Sequence, residues 1–424
     1  MSRTLRAALL TGLLLTASPA DPSPVESGVA VTGGRWLSDT GFTPATRYLI
    51  GAQLTDRRPA RIDSTIALHG AYVVSPFGEA HNHNIEASSR IGATLARYLR
   101  DGVFYVENPG ILPRNRPGLS GLVNVPTGPD VTFAPGLITG AGGHPVLLVR
   151  RNIAREIWTE EDGEGAFYWT VDSAADLERK WPRLLAAHPD FIKVVLIHSE
   201  EYERRRADTA FIGWRGMNPA LLAAVVRRAT AAGLRVVAHI ETASDFRAAV
   251  AAGVAQIAHM PGFRGDEQGQ LPDPGPYTLS EADAKAAAVR GEVVVTTLGG
   301  VAALDSAGPD SVRRRAFDAL HRANLATLRR AGVRLAIGSD AYGDDSRGEA
   351  RYLQGLGVFT NAELLRLWSE ATPRAIFPER PVGRLTPPAV ASFLALSCDP
   401  LVHFACTDSI LVRVKDGRVL TVGQ

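Results

Sequence analysis

The chain has 424 residues, of which 45% are hydrophobic and 21% charged, a composition that excludes a disordered protein and allows one large or two moderate cores. Lys and Arg number 46 and Asp and Glu 44, which leaves a formal charge of +2 and no single-signed block of the kind that binding to nucleic acid or to an anionic membrane requires. The basic runs at 204–206 and 313–315 are flanked by acids and are interpreted as solvated faces.

Residues 1–20 have the pattern of a secretory signal peptide. Arg3 and Arg6 precede an apolar run that is too short to span a bilayer, and small residues follow at the usual cleavage position. No cysteine lies nearby to carry a lipid, and no later stretch is apolar enough for a transmembrane helix. We therefore expect an exported chain, periplasmic or secreted, without a membrane anchor. In such an oxidising compartment Cys398 and Cys406 could form a disulfide, and the sequence leaves that pairing open.

Short β-rich runs occur at both ends of the mature chain. Residues 21–75 contain VAVTG, TRYLIGAQL and AYVV, separated by turn residues and without a helical period. Residues 385–424 return to this texture with ASFLALS, SILVRVK and RVLTVG. We predict that the two segments together form one small β-sandwich domain.

Between them, residues 76–384 alternate short apolar strands with helical stretches rich in Ala, Leu and Arg. This is the pattern of a parallel sheet with crossover helices. One strand leads into His81. The others are predicted at 102–107, 131–137, 191–197, 234–239, 255–259, 292–297 and 333–338, with helices that include 219–232, 243–252, 281–290 and 311–331. Eight such units over about 300 residues favour an α/β fold of the (β/α)₈ TIM-barrel type over an open doubly wound sheet.

Residues that bind divalent metals follow these predicted strands. In a barrel the C-terminal strand ends converge on one mouth, where active sites of this fold lie. The strand ends carry His81, His83, Lys193, His239, His259 and Asp340. In an extended strand the two imidazoles of His81 and His83, and the acid Glu79 before them, point to one face. Together the six residues can hold two divalent ions, although a lone histidine is more often a core residue and a lone lysine more often snorkels.

These residues resemble the amidohydrolase superfamily, in its branch of imidazolonepropionase-like and prolidase-like metal-dependent hydrolases. The resemblance covers nearly all of the mature chain and includes GVFYVENPG, ITGAGGHP and ATPRAIFPERPVGRLTPPAVASFLAL. Two departures stand out. Glu79 occupies the position where the family usually has Asp, and the segment 198–202, HSEEY, replaces the Gly-Gly pair that often follows the lysine.

The resemblance implies a role for each of the six residues. His81 and His83 would bind the more buried metal, and His239 and His259 the more exposed one. Lys193, carboxylated on its amine, would bridge both, and Asp340 would ligate the first metal and move the proton.

Elementary chemistry agrees with these roles. A metal-bridging water has its pKa lowered from 15.7 toward about 7, and a nearby carboxylate can carry its proton to a leaving nitrogen. An ammonium on Lys193 would repel two cations, so it must be neutral or an anionic carbamate; an unmodified lysine beside a single metal is the alternative. Two Zn²⁺ ions per chain are the default expectation, and manganese, cobalt or iron could replace them.

Loops that follow the strands carry weaker candidates. His144, in GGHP, could hydrogen-bond the substrate or its tetrahedral oxyanion, or it could be an exposed imidazole in a glycine-rich turn. Other loop residues could contact the substrate or form solvated faces; these are His198, Glu200, Glu201, Tyr202, Tyr342 and Arg347.

The hypothesis is an exported hydrolase that uses metal-activated hydroxide to cleave a C–N bond in a small molecule, such as a dipeptide, a cyclic amide or an N-acyl amino acid. One alternative is a lactonase or phosphotriester-type hydrolase on the same metals. The other is a barrel that binds metal or ligand without turnover. A homo-oligomer is compatible with the resemblance.

Overall fold

The computed structural model describes residues 26–86, 88–300 and 311–421. The predicted signal peptide, residues 1–20, lies outside the described residues. Within the described ranges, no helix combines the length and the apolar character that crossing a membrane requires.

Short strands and helices alternate through most of the chain. In chain order the strands are β1 (Ser27–Ser38), β2 (Gly41–Ile50), β3 (Gln53–Thr55), β4 (Arg61–Ala67), β5 (Tyr72–Val74), β6 (Phe77–Glu79), β7 (Val103–Ile111), β8 (Asp130–Pro135), β9 (Leu137–Thr139), β10 (Tyr168–Thr170), β11 (Ile192–Val195), β12 (Val236–His239), β13 (Gln256–Ile257), β14 (Val293–Val295), β15 (Arg334–Ala336), β16 (Ala389–Val390), β17 (Phe393–Leu396), β18 (Ile410–Lys415) and β19 (Arg418–Val419). The helices are α1 (Ile91–Arg100), α2 (Val146–Ala154), α3 (Ala174–Leu185), α4 (Tyr202–Ala207), α5 (Leu222–Ala231), α6 (Ala243–Ala252), α7 (Glu281–Arg290), α8 (Val312–Arg330), α9 (Ser346–Leu356), α10 (Asn361–Arg366) and α11 (Thr372–Ile376).

One sheet contains strands from both ends of the chain. Its order is β16-β3-β2-β1-β5-β17-β18-β19, and β4 also pairs with β1. Trp36 of β1 and Phe393 of β17 meet edge to face, with their ring centroids 5.2 Å apart, so both ends also share one hydrophobic core. Cys398 and Cys406, between β17 and β18, form a disulfide. Strands from both ends of the chain therefore lie in one sheet, and their division from the rest as a separate β-sandwich domain stays a prediction.

Two further sheets are parallel and lie between these ends in sequence. One has the order β10-β9-β11-β12-β13-β14-β15, and the other β6-β7-β8. Their strands are buried almost throughout, as expected when both faces of a parallel sheet are covered. The backbone N–H of Ala80, after β6, donates to the carbonyl of Ile337, after β15, at 2.8 Å, which joins the ends of the two sheets. The mixed α/β architecture is confirmed, and closure into an eight-stranded barrel stays a prediction.

Glycine interrupts the strand that was predicted at 131–137. Gly136 separates β8 from β9 with φ +83°, and a Cβ atom there would lie 2.6 Å from the indole nitrogen of Trp169. A side chain is therefore excluded on both conformational and steric grounds.

Helix caps explain why α6 and α7 begin and end where the sequence predicts. Each starts with a reciprocal capping box, Thr242 with Asp245 and Ser280 with Asp283, and each ends at a left-handed glycine. The cap of α6 also binds the strand end before it, because Oδ2 of Asp245 accepts a hydrogen bond from the N–H of Glu241 at 3.0 Å, two residues after His239.

A buried ion pair connects the composite sheet to the three-stranded sheet. Lys415 of β18 is 1% exposed, and its Nζ donates to Oδ1 of Asp130 in β8 at 2.8 Å and to the carbonyl of Val125 at 2.9 Å. Arg380 binds the other oxygen of Asp130 at 2.7 Å. Because every partner is hydrogen-bonded, the charges are compensated in this dry environment.

Candidate metal centre and active site

The ends of β6 and β15 bring His81, His83 and Asp340 together. The N–H of Asp340 donates to the carbonyl of His81 at 2.8 Å. Oδ1 of Asp340 lies 3.8 Å from Nε2 of His81 and 3.7 Å from Nε2 of His83. Gly338 allows this approach, since a Cβ atom there would lie 2.7 Å from the backbone nitrogen of His81. The close packing of the two strand ends thus places three potential metal ligands around one point.

His239 and His259 complete this group from neighbouring strands. His239 ends β12 and His259 follows β13; their ring centroids are 4.5 Å apart, and those of His81 and His259 4.4 Å. One ligand atom each from His81, His259 and Asp340 lie within 4.8 Å of one another. The arrangement can therefore hold a metal ion.

In two of the histidines, a hydrogen bond to one ring nitrogen leaves the other nitrogen available to bind a metal. Nδ1 of His259 lies 2.9 Å from the hydroxyl of Thr297, and Nε2 of His239 lies 3.1 Å from Oε1 of Glu241. The opposite nitrogens, Nε2 of His259 and Nδ1 of His239, remain for a ligand. Thr297 holds this position with φ +52°, a strained conformation for a β-branched residue, of the kind found at functional sites.

Lys193 lies in the middle of β11 and is 2% exposed, yet its Nζ has no hydrogen-bond partner among the described residues. Burial lowers its pKa to about 7, although the charges of Asp340 and Glu107 act in the opposite direction. The charge of Asp340 interacts with this buried amine. Such an amine fits a position beside a metal ion when it is neutral or converted to a carbamate.

Burial also sets the protonation of the other groups. It lowers the pKa of His83 to about 3 and the pKa values of His81, His239 and His259 well below the usual range, and the charge of Lys193 adds to each effect. Neutral imidazole is the form that binds metals. Burial raises the pKa of Asp340 to about 6, against the nearby positive charges of Lys193 and Arg264.

Glu79 connects the two strand ends rather than facing solvent. It is fully buried, and its carboxylate accepts hydrogen bonds from the backbone of His81 at 3.1 Å and from the N–H and hydroxyl of Ser339 at 2.8 and 2.7 Å. These contacts orient the segments that carry His81 and Asp340.

Among the weaker candidates, His144 lies beside the group. Its ring stacks on that of His239, with centroids 5.1 Å apart and planes 14° apart. Burial, with the added charges of His239 and Arg264, lowers its pKa, so the imidazole is neutral. It is therefore close enough to act on a molecule that contacts His239.

The remaining candidates have varied surroundings. His198, with φ +50°, contacts Glu200 at 3.1 Å, whereas Tyr202 lines a polar cavity of about 350 Å³ with Asp172 and Arg215. Tyr342 is 72% exposed, with its ring 6.4 Å from that of His83. The guanidinium of Arg347 pairs with Asp101 at 2.7 Å and with Asp345 at 3.3 Å, so its charge is already compensated by two carboxylates.

Two residues beside the histidines were missed in the sequence. Glu241 is 3% exposed and contacts His239, and Arg264 donates from Nη2 to the same carboxylate oxygen. The spacing HIE places Glu241 two residues after His239, the same offset as in His81 and His83, and this could have indicated it. No spacing signal indicates Arg264.

Comparisons with known proteins identify the fold. No family model matches this chain, and no curated protein matches its sequence. An amidohydrolase structure shares 21% identity and covers 94% of this chain and 99% of its own, with a TM-score of 0.70. A prolidase complexed with N-methylphosphonate-L-proline shares 19% identity over 93% of this chain and 100% of its own, with a TM-score of 0.66, and molinate hydrolase shares 16% over 94% and 95%, with a TM-score of 0.70. The predicted resemblance to amidohydrolases and their prolidase-like branch is confirmed at the level of the fold.

Proposed function

We propose that the protein is a metal-dependent hydrolase of the amidohydrolase type that cleaves a C–N bond in a small molecule. The observation that carries this proposal is the convergence of four neutral histidines and Asp340 at neighbouring strand ends, together with the buried amine of Lys193 in β11, which has no hydrogen-bond partner among the described residues. Similar structures named as an amidohydrolase and a prolidase support the reaction class.

The proposal includes an architecture in which the two parallel sheets close into one (β/α)₈ barrel over residues 76–384. The hydrogen bond from Ala80 to Ile337 supports closure on one side. Residues 21–75 and 385–424 would then form the separate small β-domain. We also propose that residues 1–20 direct export to the periplasm or the medium.

Residues with available nitrogen or oxygen atoms would hold the metal. These are His81, His83, His239, His259, Asp340 and Lys193, the last as a carbamate if two ions are bound. When bound, a divalent ion such as Zn²⁺ would polarise a carbonyl and lower the pKa of water toward about 7.

Asp340 and His144 would carry out the remaining chemistry. The carboxylate of Asp340, within 3.8 Å of both Nε2 atoms of the HxH pair, accepts a proton from the attacking water and delivers it to the leaving nitrogen. The neutral imidazole of His144 donates a hydrogen bond to the carbonyl oxygen as negative charge develops there.

Metal analysis of Lys193→Ala tests this proposal before any substrate is known. We expect the purified mature protein to hold about two ions per chain after reconstitution with metal and bicarbonate, and the variant to hold fewer, because an essential bridging ligand is lost. Lys285→Ala, which removes an exposed lysine of α7, should retain the wild-type content.

Turnover completes the test. Wild type should hydrolyse members of a dipeptide and N-acyl amino acid library, and Asp340→Asn should be slower by about 10²–10⁴-fold. A protein that retains no metal after reconstitution, or whose hydrolysis is unchanged in Asp340→Asn, would contradict the proposed mechanism. Turnover of lactones or phosphotriesters without turnover of any amide would assign the site to a different reaction.

A further inference from the structure

A second feature of the site is the cationic side chain of Arg264, which is not one of the proposed metal ligands. Arg264 follows β13 in the loop that begins with His259. Gly262 turns this loop with φ +77°, and a Cβ atom there would lie 2.5 Å from Leu320, so the turn is tightly packed. Phe263 then stacks on His259, with ring centroids 4.1 Å apart and planes 10° apart. The loop is thereby fixed against a metal-binding histidine, and Arg264 is the next residue.

The guanidinium of Arg264 is held in one orientation. Its central carbon lies 4.8 Å from the ring centroid of Trp214 and 5.3 Å from that of Phe263. Its Nη2 donates to Oε1 of Glu241. Two aromatic rings and one carboxylate therefore restrain the group, so a ligand would not have to order it.

Donors of this guanidinium remain unused. Arginine has five N–H donors, and the hydrogen bond to Glu241 uses one of them. Nε is buried without a hydrogen-bond partner in the described part of the chain, while the side chain as a whole is 32% exposed. Such an arginine can still donate hydrogen bonds to a carboxylate, and these charge-assisted pairs are among the stronger hydrogen bonds.

Arg264 lies beside the metal-binding group. Its Nη2 donates to Oε1 of Glu241, the same oxygen that lies 3.1 Å from Nε2 of His239. One carboxylate therefore separates the cation from a proposed metal ligand. Arg347 pairs with two carboxylates, those of Asp101 and Asp345, and Arg205 also pairs with two, those of Glu201 and Glu267. Among the described residues, Arg264 pairs with one, that of Glu241.

We propose that Arg264 binds a carboxylate of the substrate beside the metal-binding group, and that the substrates are therefore N-acyl amino acids or dipeptides with a free carboxylate rather than neutral amides. This assignment rests on the proposed function and makes it more specific. Glu241 orients the guanidinium of Arg264. Its negative charge also balances the positive charge of Arg264 when no substrate is bound. Because the same carboxylate contacts His239, the carboxylate site and the metal site have a fixed separation.

Binding measurements with matched ligands test this assignment without depending on turnover. The ligands are a panel of N-acetyl amino acids and the corresponding N-acetyl amino acid amides, titrated by calorimetry into metal-loaded full-length mature protein. For at least one pair, wild type should bind the carboxylate about 10- to 100-fold more tightly than the amide, and Arg264→Gln should lose this preference. Arg264→Lys, which keeps the charge without the planar fork, should retain an intermediate preference.

Arg179→Gln is the matched control, because Arg179 lies on α3 with a side chain 65% exposed and pairs with Asp176 on the same helix. Its preference should equal that of wild type. Absence of any carboxylate preference in wild type would overturn the assignment. A preference that is unchanged in both Arg264→Gln and Arg264→Lys would also overturn it, and would indicate that the metal binds the carboxylate. If the preference depends on Arg264 while no panel member is hydrolysed, the carboxylate site stands and the proposed reaction fails.

Discussion

At the scale of single residues, two of the histidines at the strand ends are each oriented by a hydrogen-bonded neighbour. Thr297 binds one nitrogen of His259 and Glu241 one nitrogen of His239. Such partners fix the ring orientation and raise the basicity of the free nitrogen. The site therefore depends on residues beyond the six that were predicted as ligands.

Replacing Glu241 tests this dependence. In Glu241→Gln the negative charge that supports His239 is lost, and we expect metal affinity to fall by about 10- to 100-fold. Competition with a metal chelator measures the change. Glu267→Gln, which alters a carboxylate bound to Arg205 instead, serves as control and should change affinity little. Equal affinities of wild type and Glu241→Gln would show that Glu241 does not support the ligand.

The sequence indicated the candidate ligands because strand ends can be located from short apolar runs. It could not indicate Arg264, since its position depends on the turn at Gly262 and on stacking of Phe263 against His259. Nor could it show that Arg347 is paired with Asp101, which lies far away in the chain. Contacts between distant segments determine which basic side chain faces the site.

At the scale of elements, helices were easier to predict than strands. The bounds of α6 and α7 follow from local capping residues and glycine stops, which the sequence displays directly. Strands are defined by hydrogen bonds to distant partners, so their lengths are not local. β13, for example, pairs over two residues only, Gln256 and Ile257, although the apolar run around it is longer.

Glu292, immediately before β14, gives an element-scale prediction. It is 2% exposed, both carboxylate oxygens lack partners among the described residues, and burial raises its pKa from 4.5 to about 7. Between these values the folded state keeps a proton that the unfolded state has lost. Stability therefore decreases as pH rises through this window.

We expect Glu292→Gln to be more stable than wild type at pH 8, by about 1–2 kcal/mol, because no charge has to be buried at the start of the strand. At pH 4, where wild type is protonated in both states, the gain should vanish. Denaturant unfolding at the two pH values measures it. Glu203→Gln, with a side chain 75% exposed in wild type, should show no comparable pH-dependent gain. A gain of equal size at both pH values would contradict the titration argument.

At the scale of the whole molecule, the buried pair of Lys415 and Asp130 makes the composite sheet and a parallel sheet depend on each other. In Lys415→Met, Asp130 loses one of its two cationic partners in a buried position, and we expect the free energy of unfolding to fall by about 3–5 kcal/mol. Adding Asp130→Asn should recover part of the loss, since the uncompensated charge is then removed.

Chemical denaturation followed by circular dichroism measures these changes. The control is Arg418→Met, at an exposed position of β19, which should alter stability by less than about 0.5 kcal/mol. A loss in Lys415→Met no larger than that of the control would mean that the ion pair does not couple the two sheets.

The association of both chain ends was predictable because similar β-rich runs occur at each end. The order of strands was not, because β17 lies between β5 and β18 through contacts that no local pattern encodes. Periodicity determines which segments are strands, whereas packing of the complete chain determines their neighbours.

The composite sheet has a consequence for the order of events during synthesis. β5 is made early and receives its partner β17 only after about three hundred further residues have been translated. Until then the nascent chain presents an unpaired edge, which is open to association with other chains. A chain that stops before β17 would therefore leave β5 without its antiparallel partner, and this truncation exposes backbone donors and acceptors that the complete chain covers.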